Sequence, residues 1–200
     1  MWTTWALVDP CPVPDPEVLL AAGDGRAVGR FAASRREGDS AEERFAACAK
    51  KHLPKERYPM VVAADQRTDM RDHIDCFVSL LSDLEDETSL ARFVCSVDVK
   101  AAKRVRRSDA RASSEIMWVE TKNVRGKPGW VYGKARLIAQ EVPGIGFLLL
   151  DRESLAKLAE ARKARYPGAV HVRPDRPLEE VMQIEVATCA RYAGVAVWSV

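Results

Sequence analysis

A chain of 200 residues is long enough to bury a sizeable core without disulfide or metal staples. Its 31 Lys and Arg against 29 Asp and Glu leave a net charge of +2, so composition alone does not mark a nucleic-acid binder. No apolar run approaches the roughly 18 residues of a membrane span, and the opening MWTTWALVDPCPVPDP lacks the basic start of a secretory signal. The expectation is a soluble intracellular protein, cytoplasmic or nuclear, with no membrane partner.

In chain order, PCPVPDP at 10–16 is a proline-rich break. Residues 1–38 read as an N-terminal extension packing on a single α/β domain over 39–200. DSAEERFAACAKKHL, 39–53, predicts a helix: Ser40 and Glu43 have capping-box spacing, and Phe45, Cys48, Ala49 and His52 mark one face. Pro54 and Pro59 end it. HIDCFVSLL, 73–81, reads as a strand, followed by an acidic turn and a second strand, ARFVCSVDVKA, at 91–101. Alternation puts Phe93, Cys95, Val97 and Val99 on one face of that strand, and Val94, Ser96, Asp98 and Lys100 on the other. A basic loop leads to a third strand, EIMWVETKNV, at 115–124, and RGKPG is a turn. Two more strands, at 135–142 and 146–152, flank a hairpin turn around Gly144 and Gly146. RESLAKLAEARKARY, 152–166, predicts a helix with Leu155, Leu158 and Ala159 facing inward, and the tail holds AVHVR and a final apolar segment as strands. This order predicts an α/β fold: a mixed central sheet with an antiparallel meander, flanked by helices.

The five cysteines form no CxxC pair, and Cys48, Cys76 and Cys95 sit among apolar neighbours, so buried free thiols are expected. His52, His73 and His171 are too scattered for a zinc site, and no phosphate-binding loop, dinucleotide fingerprint or nucleophile elbow is present.

The chemistry-bearing residues lie on the first two strands. Centring their turn on residues 82–89 sets Asp75 opposite Ser96, one diagonal step from Asp98, or roughly 7–8 Å between Cα atoms. Two carboxylates that close repel, and a positive partner is needed to keep both ionised. Mg²⁺ suits the task, since it takes one or two carboxylates and keeps several waters. Lys100, on the same strand face as Asp98, would reach the same space to orient a water or steady a pentavalent phosphate.

Asp75, a hairpin, and then Asp98-Val99-Lys100 resemble the motif of the PD-(D/E)XK nuclease superfamily, with the likeness running over residues 39–166. The resemblance implies a restriction-endonuclease-like fold, with a core of one helix, a three-strand meander, a helix and a strand. It also implies hydrolysis of DNA phosphodiester bonds dependent on Mg²⁺, for which Mn²⁺ would substitute. The family's first acid and the acid of its second motif bind the metal, and its lysine assists the attacking water. Those roles fall on Asp75, Asp98 and Lys100. Ile74 stands where the motif's proline would be. Glu43 is placed to supply the further metal-binding acid that some members carry on the first helix, in competition with its capping role, and Asp72 is an alternative to Asp75. A second acid-x-lysine pair, Glu120 and Lys122, either supplements this site or replaces it in a register with Asp98 as first acid.

Beside such a site, Lys103, Arg104, Arg106 and Arg107, with Arg111 further on, would neutralise DNA phosphates; the competing reading is a solvated loop. Arg125, Lys127 and Lys134 extend the same surface. Trp130 and Tyr132 either stack on a splayed base or pack their turn against the sheet. Cutting both strands of a duplex would call for a homodimer. Two other functions stay open: a non-catalytic nucleic-acid-binding module of the same fold within a larger assembly, and a structural Asp98–Lys100 ion pair in an unrelated α/β protein.

Overall fold

A computed structural model describes residues 31–53, 60–80, 93–106, 108–174 and 176–199. Helix α1, Phe31–His52, precedes strand β1, Met60–Ala63, and a short helix α2, Gln66–Asp72. Strands β2, Cys76–Leu80, and β3, Phe93–Lys100, follow, then β4, Ile116–Lys122, and a 3-10 turn at Trp130–Tyr132. Strands β5, Leu137–Val142, and β6, Gly146–Asp151, lead into helix α3, Arg152–Arg165. Strands β7, Val170–Arg173, and β8, Arg176–Glu185, helix α4, Val186–Ala193, and strand β9, Gly194–Ser199, complete the order.

Six strands form a large sheet in the order β1-β2-β3-β5-β6-β9, and β4-β8-β7 form a small one. The large sheet is mixed: β3 and β5 run parallel, and its other neighbours are antiparallel. Both of its faces are covered, which is why LIAQEV and GFLLLD read as near-continuous apolar runs. On one face lies α1, whose Ala41, Phe45, Cys48 and Ala49 meet Val97, Val99, Ala139 and Leu149. Phe45 meets Phe147 edge-on at 5.3 Å and stacks on Trp198 at 5.7 Å. A ring nitrogen of His52 lies 2.8 Å from the Ser199 carbonyl, tying the end of α1 to β9. The other face packs against the small sheet, the 3-10 turn, α3 and α4, through Ile138, Leu148 and Leu150 against Met117, Val131, Leu155 and Ile184. Asp151 caps α3 by accepting from the Ser154 N–H at 2.8 Å.

Mixed α/β architecture with a mixed sheet is therefore observed. Several details differ from the sequence reading. Helix α1 starts at Phe31, so Ser40 lies inside it, and its hydroxyl accepts from the Arg44 guanidinium instead of capping. The boundary drawn between residues 38 and 39 consequently falls within a helix. The third strand of the antiparallel meander is β1, because β4 leaves the large sheet to pair with β8. Strand β8 and helix α4 were not anticipated. The acidic turn at 82–89 and the prolines at 54 and 59 lie outside the described residues. Cys48, Cys76, Cys95 and Cys189 are free and buried, with burial pushing the Cys95 and Cys189 thiols up to about 12, while Cys11 lies outside the described residues. Among the described residues, no helix is long and apolar enough to cross a membrane.

Candidate active site

The site begins at the end of α2. Asp65 caps this helix by accepting from the Arg67 and Thr68 N–H groups, and His73 ends it in the left-handed conformation, with φ of 53°. That reversal delivers Asp75 to the start of β2. Its N–H donates to the Val97 carbonyl at 2.9 Å, its own carbonyl accepts from Ala64 at 2.8 Å, and its Oδ2 accepts from the Val99 N–H at 2.6 Å.

Strand β2 pairs with β3 in a register that sets Cys76 across from Val97 and Phe77 across from Ser96. Cys76 thus pairs two residues further along β3 than expected, and the Asp75 backbone and side chain bond to Val97 and Val99, the residues flanking Asp98. The two carboxyl groups are near enough for the charge of Asp75 to disfavour that of Asp98. Both point away from α1, since Val97 and Val99 occupy the α1 face of β3.

Asp98 is only 1% exposed. The Lys100 ammonium contacts its Oδ1, and no other hydrogen-bond donor among the described residues reaches either oxygen. Burial raises the Asp98 carboxyl well above the usual range, Lys100 pulls it down, and Asp75 pushes it further up. Burial works against the charge on Lys100, but the Asp98 and Asp75 carboxylates outweigh it and raise the amine. The Lys100 ammonium also lies 5.3 Å from the centre of the Trp130 ring, a cation–π contact. Gln140 is its partner on β5 and is buried.

Glu120 approaches from the small sheet. Burial and Glu179 raise its carboxyl, whereas Lys100, Lys103 and the Trp130 N–H favour its ionised form. Its position depends on Gly129, whose N–H donates to the Thr121 carbonyl at 3.0 Å. A Cβ on Gly129 would lie 2.3 Å from the Glu120 carbonyl oxygen.

The structure thus brings together Asp75, Asp98 and Lys100, with Glu120 in electrostatic reach of Lys100 alone among them. It does not bring Glu43, which is exposed on α1 across the sheet from Asp98. Lys122 is also outside the cluster, held at 2.6 Å by Glu180. Asp72 is engaged by Arg71 at 2.6 Å and Lys134 at 3.1 Å, and the hydrogen bonds from Arg71 hold its carboxyl down at about 2.

Lys103, Arg104, Arg106 and Arg111 are exposed on a loop that is itself ordered by hydrogen bonds. Asp109 accepts from the Arg106 N–H at 2.7 Å, the Ser113 N–H donates to the Lys103 carbonyl at 3.0 Å, and the Trp118 indole N–H donates to the Arg104 carbonyl at 3.2 Å. Arg107 lies outside the described residues. Arg125 and Lys127 are exposed on the turn after β4. Trp130 is buried in the core, and the Tyr132 hydroxyl donates to Glu160, so both hold their turn against the body of the protein. A narrow crevice lined by Lys100, Lys103, Trp118, Trp130 and Gln140 opens beside the acids.

Sequence reasoning missed Gln140 and Trp118. A signal existed for Gln140, a polar residue inside the apolar run LIAQEV. None existed for Trp118, because its neighbours His171, Gln183 and Gln140 are distant in sequence. Among the described residues, no group of three or more His, Cys, Asp or Glu side chains is arranged to hold a metal ion. No protein-family model, curated protein or solved structure matches the chain.

Proposed function

We propose that Asp75, Asp98 and Lys100 form the centre of a metal-dependent endonuclease of PD-(D/E)XK type that hydrolyses DNA phosphodiester bonds. The observation that carries this reading is the meeting of two carboxylates from neighbouring antiparallel strands on one sheet face, with an amine two residues along the same strand. The antiparallel β1-β2-β3 meander, α1 against it, and β5 added parallel to β3 support the same fold family.

The residues fit Mg²⁺ or Mn²⁺. Asp75 and Asp98 offer hard carboxylate oxygens, and those of Asp98 meet no donor but Lys100. A divalent cation bound there would supply an acidified water and charge neutralisation at the phosphate. The chain's own part is to hold and orient. The Val99 N–H fixes Asp75, the strand backbone fixes Asp98, and Trp130 walls off one side of Lys100. Lys100 is placed to hold a water or donate to a phosphate oxygen. The exposed cations of the 103–111 loop would bind flanking phosphates, giving salt-sensitive affinity. A duplex cut on both strands would engage two copies of the chain.

A specific contact favours a second reading. The Lys100 ammonium lies directly on Asp98 and would satisfy it without a metal, leaving a nucleic-acid-binding module that does not cut. Cleavage of plasmid, single-stranded and branched DNA with Mg²⁺ or Mn²⁺ separates the two. The endonuclease reading expects cleavage that falls at least about 100-fold in Asp75→Asn and in Lys100→Met, with circular dichroism unchanged. Salt-sensitive DNA retention without cleavage on any substrate would select the binding module.

A further inference from the structure

The outer face of the small sheet carries an aromatic pair that neither the motif nor the proposed chemistry uses. Trp118 on β4 and His171 on β7 meet edge-to-face, with ring centres 5.7 Å apart. Alternation explains their placement. Met117 and Val119 point into the core, so Trp118 points out, and Val170 packs on the core while His171 is exposed. The cross-strand register puts Gln183 and Val181 of β8, and Glu120 of β4, on that same face.

Two further features tie this pair to the acids. The Trp118 indole N–H donates to the Arg104 carbonyl, which fixes the ring against the loop bearing Lys103, Arg104, Arg106 and Arg111. Trp118 and Lys100 also line the same narrow crevice, together with Lys103 of the basic loop. A nucleic-acid strand following the exposed cations of the 103–111 loop would pass the Trp118 ring, which is bonded to that loop. A paired duplex keeps its base faces inside the stack, and only an unpaired nucleotide can offer one to an indole ring.

We infer that Trp118, supported by His171, is a base-stacking platform for an unpaired nucleotide, and that the substrate class is single-stranded DNA or a splayed DNA end. The inference rests on the nucleic-acid reading of the Asp75–Asp98–Lys100 site. Its test involves no cleavage, so a protein that never cuts still passes or fails it. Fluorescence anisotropy of the full chain would be measured in EDTA with labelled oligothymidylate and with a hairpin duplex. Trp118→Ala is expected to weaken oligothymidylate binding at least about fivefold while leaving duplex binding within about twofold. Trp118→Phe keeps a ring but loses the bond to Arg104, and it should recover most of that loss, which a purely structural indole would not allow. If Trp118→Ala does not fold, His171→Ala carries the same comparison, with a selective loss of at least about twofold for oligothymidylate expected. Equal weakening of both ligands, no weakening of either, or no binding of oligothymidylate by the wild type would overturn the inference.

Discussion

At Asp98, burial and the neighbouring Asp75 favour the neutral acid, and Lys100 opposes them. The folded carboxyl therefore holds its proton more tightly than the unfolded one. The resulting stability is fully present below the ordinary carboxyl range and is lost as pH rises through the raised folded value. Asp98→Asn removes that loss, so its melting temperature should gain on the wild type as pH rises above the ordinary carboxyl range. A gap that stays constant or closes with rising pH would contradict the upward shift of the Asp98 carboxyl. The sequence made this residue conspicuous: an acid alternating with Val97 and Val99 and followed by a lysine two positions on. It did not reveal that Asp98 is almost wholly buried, because burial depends on Trp130 and the small sheet closing over β3. Nor did it reveal that Glu43 is cut off from the site, since the face of α1 that meets the sheet lies on the far side from Asp98.

At the scale of elements, the contact between β4 and the turn after it sets the distance from Glu120 and Trp130 to Lys100. Gly129 is the point of closest approach, where backbone meets backbone. Gly129→Ala must push the turn away from β4, an overpacking cost of about 1–3 kcal/mol. That should lower the melting temperature by roughly 2–10 °C in a chain of this size and disturb the Trp130 fluorescence environment. An unchanged melting temperature would show that the turn does not brace the site. Helix α3 and the antiparallel pairing of β2 with β3 were legible because their signals are local: a periodic apolar face in one, and strict alternation in the other. The partner of β4 was not legible. Alternation in IMWVETK announces a strand but does not say which sheet it joins, and here the answer is β8, more than fifty residues later. Strand β1 escaped notice because four residues, MVVA, carry too little pattern. The hairpin register was missed by two residues because it was inferred from the composition of the turn, whereas hydrogen bonds to the strands set it.

Across the whole molecule, a mixed sheet is covered on both faces, and the two faces differ in what they carry. The α1 face is apolar apart from its rim, where Arg44 binds Glu141 at 2.6 Å. The opposite face combines a core with the cluster of Asp75, Asp98 and Lys100. Glu120, Gln140 and Trp130 enclose that cluster, and the basic loop emerges beside it. The central claim is that Asp75 and Asp98 together make a divalent-cation site. It is tested most directly by titrating Mn²⁺ into the purified protein and following bound metal by electron paramagnetic resonance. The account predicts that the wild type and Glu43→Gln bind alike, and that Asp75→Asn and Asp98→Asn each lose the bound signal. Retention of that signal in Asp98→Asn, or its loss in Glu43→Gln with the fold intact, would contradict it.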